Sequence, residues 1–256
     1  MIGIFDSGLG GLTVARAIMR RLPNWPLVYF GDTARTPYGN KSKRVIEQYA
    51  IENTKFLLGR GAKAIVIACN TASALAYDML KKKFDAPIFE VITPAVEEAI
   101  KVTKNGRIGI IGTRATISSG VYERKLETCN LKLVTFFQAC PLLVPLIEEG
   151  WAAKAETKSI LEFYLKPLQA KKIDTLILGC THYPLLKPLI KKIMGASVTL
   201  VDSAEAVASE VARYSQSVSS VSKKSADFFV SDITPHFQSM AEKWLGQKIK
   251  IQIATL

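Results

Sequence analysis

Short apolar runs alternate with stretches of helical periodicity from one end of the chain to the other. The runs fall at about 2–5, 27–30, 64–68, 88–91, 108–111, 131–136, 175–178, 198–201, 226–230 and 249–251. They are too short for helices and too continuously apolar for strands with one wet face, so they predict buried parallel strands. Between them, residues 11–21, 42–58, 72–84, 95–102, 118–128 and 152–165 carry the spacing of amphipathic helices, the last expected to end near Pro167. Such β–α alternation predicts doubly wound α/β units with mainly parallel sheets, whose ligands sit beyond the carboxyl ends of the strands.

The pattern also repeats. IGIFDSGLGG from Ile2 matches IGIIGTRATI from Ile108, 106 residues on. AIVIACNTAS matches TLILGCTHYP, with Cys69 and Cys180 separated by 111 residues. Two similar offsets predict two related α/β domains, 1–93 and 94–201. Residues 202–256 hold only about two strands and two helices, so they are expected to pack back on the first domain. The Ser-rich stretch 215–225 reads as a surface loop.

Both repeats place a Cys where an apolar strand gives way to polar residues, Asn70-Thr71 after Cys69 and Thr181-His182 after Cys180. Free Cys is usually a buried packing residue, and Cys129 and Cys140 are read that way. At the start of a helix, free N–H groups favour a thiolate, so both Cys69 and Cys180 are expected to exchange protons near neutrality. Two such thiols, one from each domain, suit a pair of bases working on opposite faces of one carbon. One removes a proton and the other returns one from the far side, which inverts a stereocentre. Asn70, Thr71, Thr181 and backbone N–H groups are candidates to hold the charged substrate. His182 is placed to polarise Cys180 or to act on a substrate ammonium. The Gly-rich turn DSGLGG adds an acid and a hydroxyl, Asp6 and Ser7, at another strand end, and PYGN (37–40) is turn chemistry that can line a mouth.

Composition narrows the classes. The chain has 256 residues, 48% of them apolar, which allows a sizeable core. No basic and apolar leader opens the sequence and no run approaches a membrane span, so the expected address is the cytoplasm. Four Cys without a C-x-x-C, and only two His, argue against a disulfide framework, a thiol redox motif and a structural zinc. The formal charge of +12 comes from short, scattered Lys runs. These read as solvated helix ends more readily than as a nucleic-acid face.

DSG near the N-terminus, PYG about thirty residues on, CNTAS and GCTHYP together resemble the glutamate racemase branch of the aspartate/glutamate racemases, in the right order and over nearly the whole chain. The resemblance implies two pseudo-symmetric α/β domains with the site in the cleft between them, and interconversion of L- and D-glutamate that supplies peptidoglycan synthesis. It implies no metal and no cofactor. Cys69 would take the proton from D-glutamate and Cys180 from L-glutamate, with Asp6 and His182 assisting. Glu148 matches the family's acidic position near the His. Ser7, Tyr38, Gly39, Asn70, Thr71, Thr181 and His182, with Asp6, would bind substrate, and Thr113 and Thr116 would add contacts. The resemblance further implies a homodimer. A nucleic-acid or gyrase partner is the alternative use of the positive charge, and no motif in the sequence carries it.

Overall fold

The computed structural model describes all residues except 130–131, 218–224 and 234. In chain order the elements are β1 (Ile2–Asp6), α1 (Leu12–Arg21), β2 (Leu27–Gly31), α2 (Lys43–Gly59), β3 (Ala64–Ile67), α3 (Asn70–Lys83), β4 (Ile88–Glu90) and α4 (Ile92–Val102). The next group is β5 (Arg107–Gly112), α5 (Arg114–Ser118), α6 (Val121–Glu127), β6 (Val134–Ala139), α7 (Leu143–Glu148), α8 (Ala155–Ala170), β7 (Thr175–Gly179), α9 (Lys187–Met194) and β8 (Thr199–Asp202). Last are α10 (Ser203–Gln216), β9 (Ala226–Val230), α11 (Pro235–Leu245) and β10 (Ile251–Ile253).

The fold is α/β with two sheets, ordered β10-β9-β2-β1-β3-β4 and β6-β5-β7-β8, and every described strand pair is parallel. The inner order β2-β1-β3-β4 of the first sheet repeats as β6-β5-β7-β8 in the second. The register repeats too. Ile2 and Phe5 of β1 face Ala64 and Ile67 of β3, while Ile108 and Ile111 of β5 face Thr175 and Leu178 of β7. Each Cys therefore lies two residues beyond its strand partner, at the same point of two equivalent frames. β9 pairs with β2 and β10 with β9, so the last strands extend the first sheet.

Strand alternation divides the core. Ile2, Ile4, Leu27 and Tyr29 face α1 and an apolar mass that continues through α4 and α10 to the second sheet. Phe5, Val28, Phe30, Ile65 and Ile67 point the other way, against α2 and α3. Full burial of side chains of this size stabilises by about 1.5–3 kcal/mol each before the entropy of ordering is subtracted.

Several expected boundaries move. The helix expected over 118–128 is α6, which starts only at Val121 because Gly120, at φ 65°, separates it from α5. A left-handed residue ends one helix and allows the next to start in a new direction. β6 begins at Val134, and position 131 of its expected range lies outside the described residues. The helix expected to end near Pro167 runs through it to Ala170. Pro167 lies on the exposed flank, while Leu161, Tyr164, Leu165 and Leu168 keep an unbroken buried stripe across it. Packing along that stripe offsets the lost backbone hydrogen bond. Of the Ser-rich stretch, 215–216 end α10, and 218–224 lie outside the described residues.

Candidate active site

Each half of the site starts where a strand stops. β3 ends at Ile67, and Cys69 becomes the N-cap residue of α3, its carbonyl accepting from the Ser73 N–H at 2.8 Å. The Cys69 sulfur makes no capping hydrogen bond to the first turn of α3. In the second sheet β7 ends at Gly179, but no α-helix follows directly. The turn after Cys180 enters a 3-10 segment, Tyr183–Leu186, and α9 begins only at Lys187. Pro184 and Pro188 lack the N–H groups that a regular helix start would use for its second turn. Cys180 is thus supported by a side chain rather than by a helix.

Both thiols line one cavity of about 240 Å³. Ser7, Tyr38, Gly39, Asn70 and Thr71 join Cys69 on its wall. Thr113, Glu148, Thr181 and His182 join Cys180. Asp6 stands fully buried behind this wall, and Thr116 is 1% exposed behind Thr71 and Thr113. The Thr71 hydroxyl lies 3.0 Å from that of Thr113 and 3.3 Å from that of Thr116, and the latter two are 2.9 Å apart. Tyr38 lines the cavity, yet its hydroxyl donates away from it to Asp32 and accepts from Asn53 at 3.1 Å. Its polar end anchors the turn. Asp32 is fully buried and also takes both Arg35 Nε contacts, at 2.8 and 2.9 Å.

The glycines of the first turn permit the two halves to meet. A Cβ on Gly10 would lie 2.2 Å from Thr181 Oγ1 and 2.5 Å from His182 Nδ1. Thr13 Oγ1 donates to the Thr181 carbonyl at 2.9 Å, tying the start of α1 to the Cys180 turn. Across the mouth, a Cβ on Gly39 would stand 3.0 Å from that of Thr113.

The electrostatics differ on the two sides. The Cys69 sulfur donates to Ser7 Oγ at 3.6 Å. Burial first, and then the Asp6 carboxylate, push this thiol up to about 12. This reverses the expectation of a thiol near neutrality, because the desolvation of a buried charge outweighs one helix start. Asp6 is itself raised, chiefly by burial, although the Gly8 N–H donates to its Oδ2 at 2.9 Å. Its Oδ1 has no partner. On the other side His182 Nδ1 lies 3.7 Å from the Cys180 sulfur, and Nε2 lies 2.9 Å from Glu148 Oε1. Burial works to lower the His182 pKa, but the bonds to Cys180 and Glu148 outweigh it and lift it to about 10. His182 is an imidazolium at neutral pH, with the edge of Trp244 against its ring at a centroid distance of 5.6 Å.

Several lining residues carry no signal in the sequence reading. Arg114 stands at the mouth, and Pro141, Val144 and Pro145 form an apolar flank, while Thr36, Pro37 and Asn40 of the expected loop do line the mouth. Pro141 and Pro145 interrupt an apolar run just ahead of Glu148, which is the one trace they leave in the sequence. Among the described residues, no group of three or more His, Cys, Asp or Glu side chains is arranged to hold a metal ion.

Two thiols delivered to one cavity by two copies of the same strand frame define an amino-acid racemase, an isomerase. The sequence profile described as Asp/Glu/Hydantoin racemase matches residues 12–211, and the chain belongs to that family. It is 48% identical over 253 residues to the glutamate racemase of Aquifex pyrophilus, covering 99% of this chain and 97% of that one. The crystal structure of a Bacillus anthracis glutamate racemase superposes with a TM-score of 0.96 at 40% identity, covering 100% of this chain and 97% of the other. A Francisella tularensis glutamate racemase in complex with D-glutamate gives 0.91 at 36% identity, with 99% and 97% covered.

Proposed function

We propose that this chain interconverts L- and D-glutamate by two-thiol proton transfer without a cofactor. The observation that carries the reading is the pair Cys69 and Cys180, at equivalent register in two sheets, lining one cavity. Relatives named glutamate racemase, similar over nearly the whole chain, support the choice of substrate.

The two sides of the site assign the steps. Cys69 holds its proton at neutral pH, because burial and Asp6 disfavour its thiolate. The free enzyme is therefore set for L-glutamate. Cys180 removes the α-proton, and the Cys69 thiol delivers its own to the other face of the carbanion, giving D-glutamate. In the reverse direction Cys69 must first become a thiolate, take the proton from D-glutamate, and let Cys180 return one. His182, held by Glu148, keeps a positive charge beside the Cys180 sulfur through the cycle. Asp6 acts with the opposite sign behind Cys69, holding the proton on that sulfur. Ser7, Asn70, Thr71, Thr181 and the backbone of Tyr38 and Gly39 bind the substrate's charged groups, with Thr113 and Thr116 closing that wall.

The functional halves are residues 1–93 with 202–256, and 94–201. A homodimer is the assembly we assign, supported by Trp151 and Phe163, 44% and 76% exposed on the second half. Sedimentation velocity reads this directly. No helix among the described residues is long and apolar enough to cross a membrane. We place the enzyme in the cytoplasm, supplying D-glutamate for peptidoglycan.

The deciding experiment follows circular dichroism of purified protein with D-glutamate and, separately, with D-aspartate, no cofactor being added. Loss of optical activity with glutamate alone is the expected outcome. Racemisation of aspartate instead, or no change with either in a folded and reduced sample, overturns the reading.

A further inference from the structure

The segment 33–40 brings Tyr38 and Gly39 to the cavity wall. Its regular structure is limited to short 3-10 turns, Thr33–Arg35 and Tyr38–Asn40. Turns of this length hold a segment weakly, so its place depends on what its side chains bind.

Those side chains close a ring. Arg35 Nε donates to both Asp32 oxygens, at 2.9 and 2.8 Å. Arg35 Nη2 donates to Asn53 Oδ1 at 3.2 Å. Asn53 Nδ2 donates to the Tyr38 hydroxyl at 3.1 Å, and that hydroxyl donates to Asp32 Oδ2, where the ring began. The guanidinium sets every direction. It can only donate, so the Asn53 oxygen faces it and the amide NH₂ is left for Tyr38. The Tyr38 oxygen accepts that bond, and its own proton goes to Asp32. Asp32, Asn53 and Tyr38 are buried, so no water replaces a lost member easily. Outside the ring, Arg35 also donates to Glu52 of α2 and stacks 4.0 Å from the centroid of Tyr49.

The other end of the segment is held separately. The Ala34 N–H donates to Ser231 Oγ at 2.9 Å, and the Asp232 N–H donates to Thr33 Oγ1 at 2.9 Å. The ring therefore governs the end nearest the cavity, where Gly39 approaches Thr113 of the second half.

Resting on the racemase reading, we propose that Arg35 is a positioning residue for substrate binding, closing the ring that holds Tyr38 and Gly39 at the cavity wall. Arg35 does not itself line the cavity. Its loss frees the mouth end of the segment while Ser231 and Asp232 keep the far end in place. Affinity for substrate falls, and proton transfer between the thiols continues.

The test compares the wild type, Arg35→Lys, Tyr38→Phe and the double variant. It measures racemisation of both enantiomers and calorimetric binding of D-glutamate. Lys keeps the charge but lacks the planar fork that reaches Asp32 and Asn53 together. Arg35→Lys is expected to raise KM and the D-glutamate Kd roughly tenfold, about the value of one hydrogen bond to a charged group. Its kcat stays within about threefold at every pH, the signature of lost binding rather than lost chemistry. Tyr38→Phe opens the same ring, so adding Arg35→Lys to it costs no more than about twofold further. Additive losses, a fall in kcat at unchanged KM, or an unchanged KM in folded Arg35→Lys overturns the proposal. Should Arg35→Lys fail to fold, Glu52→Ala loosens the guanidinium from the surface side. It is expected to raise KM by about two- to threefold, and an unchanged KM overturns the proposal again. If the wild type binds glutamate without racemising it, the functional reading falls, and an unchanged Kd in Arg35→Lys still overturns the role of the ring.

Discussion

The two thiols occupy equivalent positions in equivalent frames, yet their surroundings are unlike. Register pairs Asp6 at the end of β1 with Gly112 at the end of β5, so the second half has no acid where the first has one. Its acid is Glu148, delivered by α7, and it acts on Cys180 through His182. No imidazole from the first half lines the cavity, and Asp6 bears on Cys69 directly. The repeated frame fixes where the sulfurs go, and the charge around them is free to differ. The result is one side built on a buried carboxylate and a protonated thiol, and another built on an imidazolium.

The largest effect is expected from removing either thiol. Cys69→Ser and Cys180→Ser should each lower racemisation by about 10³-fold or more, within the range that general acid–base groups contribute. Each should still exchange one enantiomer's α-proton with solvent deuterium, L-glutamate for Cys69→Ser and D-glutamate for Cys180→Ser, as read by mass spectrometry. Near-normal racemisation in both variants breaks the comparison at its root.

The pH dependence of that exchange sharpens the contrast. With Cys69 pushed up to about 12, exchange of D-glutamate by Cys180→Ser should climb by about tenfold per pH unit above neutrality. Exchange of L-glutamate by Cys69→Ser, whose remaining sulfur faces His182 rather than Asp6, supplies the profile to set beside it. Parallel profiles would mean that the two thiols are alike after all.

Glu148→Gln should cost about 10–100-fold in kcat/KM, the value of a hydrogen bond to a charged partner. NMR titration should find the His182 pKa lowered from about 10, because one of the bonds that raise it is gone. In the wild type the raised value carries stability that is present in full below the unfolded pKa near 6.5 and is lost as pH rises through about 10. Glu148→Gln should flatten that decline in thermal melts.

Asp6→Asn is the smallest change and has the opposite sign for stability. Asp6 is raised by burial, so the folded state prefers its protonated form, and its ionisation destabilises the fold as pH rises above the unfolded value of 3.8. The amide should raise Tm at neutral pH by about 2–4 °C for each kcal/mol gained. The gain should shrink as the pH is lowered and the wild-type carboxyl takes up its proton. Activity should fall in the same variant, separating the catalytic use of this acid from its cost to the fold.

Much of this was legible in the sequence because parallel strands buried on both faces leave short apolar runs, and turn residues mark their ends. The duplicated strand–Cys unit was visible for the same reason. The ionisation of Cys69 was not, since a helix start is written locally, whereas burial depends on what packs above it. Nor was the reversal of Tyr38, whose hydroxyl finds Asp32 and Asn53 through contacts with no fixed sequence spacing. The helix through Pro167 follows a local rule overruled by packing along one stripe. Arg114 and the apolar flank at Pro141 and Pro145 reach the cavity only because α5 and α7 leave the second sheet at particular angles, which no periodicity records.

The placement of β9 beside β2 has a consequence for biosynthesis. At about 5–20 residues per second, roughly 10–40 s separate the emergence of β2 from that of the strand that covers its outer edge. The four strands of the second sheet are all made within that interval. On the ribosome, the later sheet can therefore be complete while the earlier one still exposes an unpaired edge, the feature by which nascent chains mispair and chaperones recognise them.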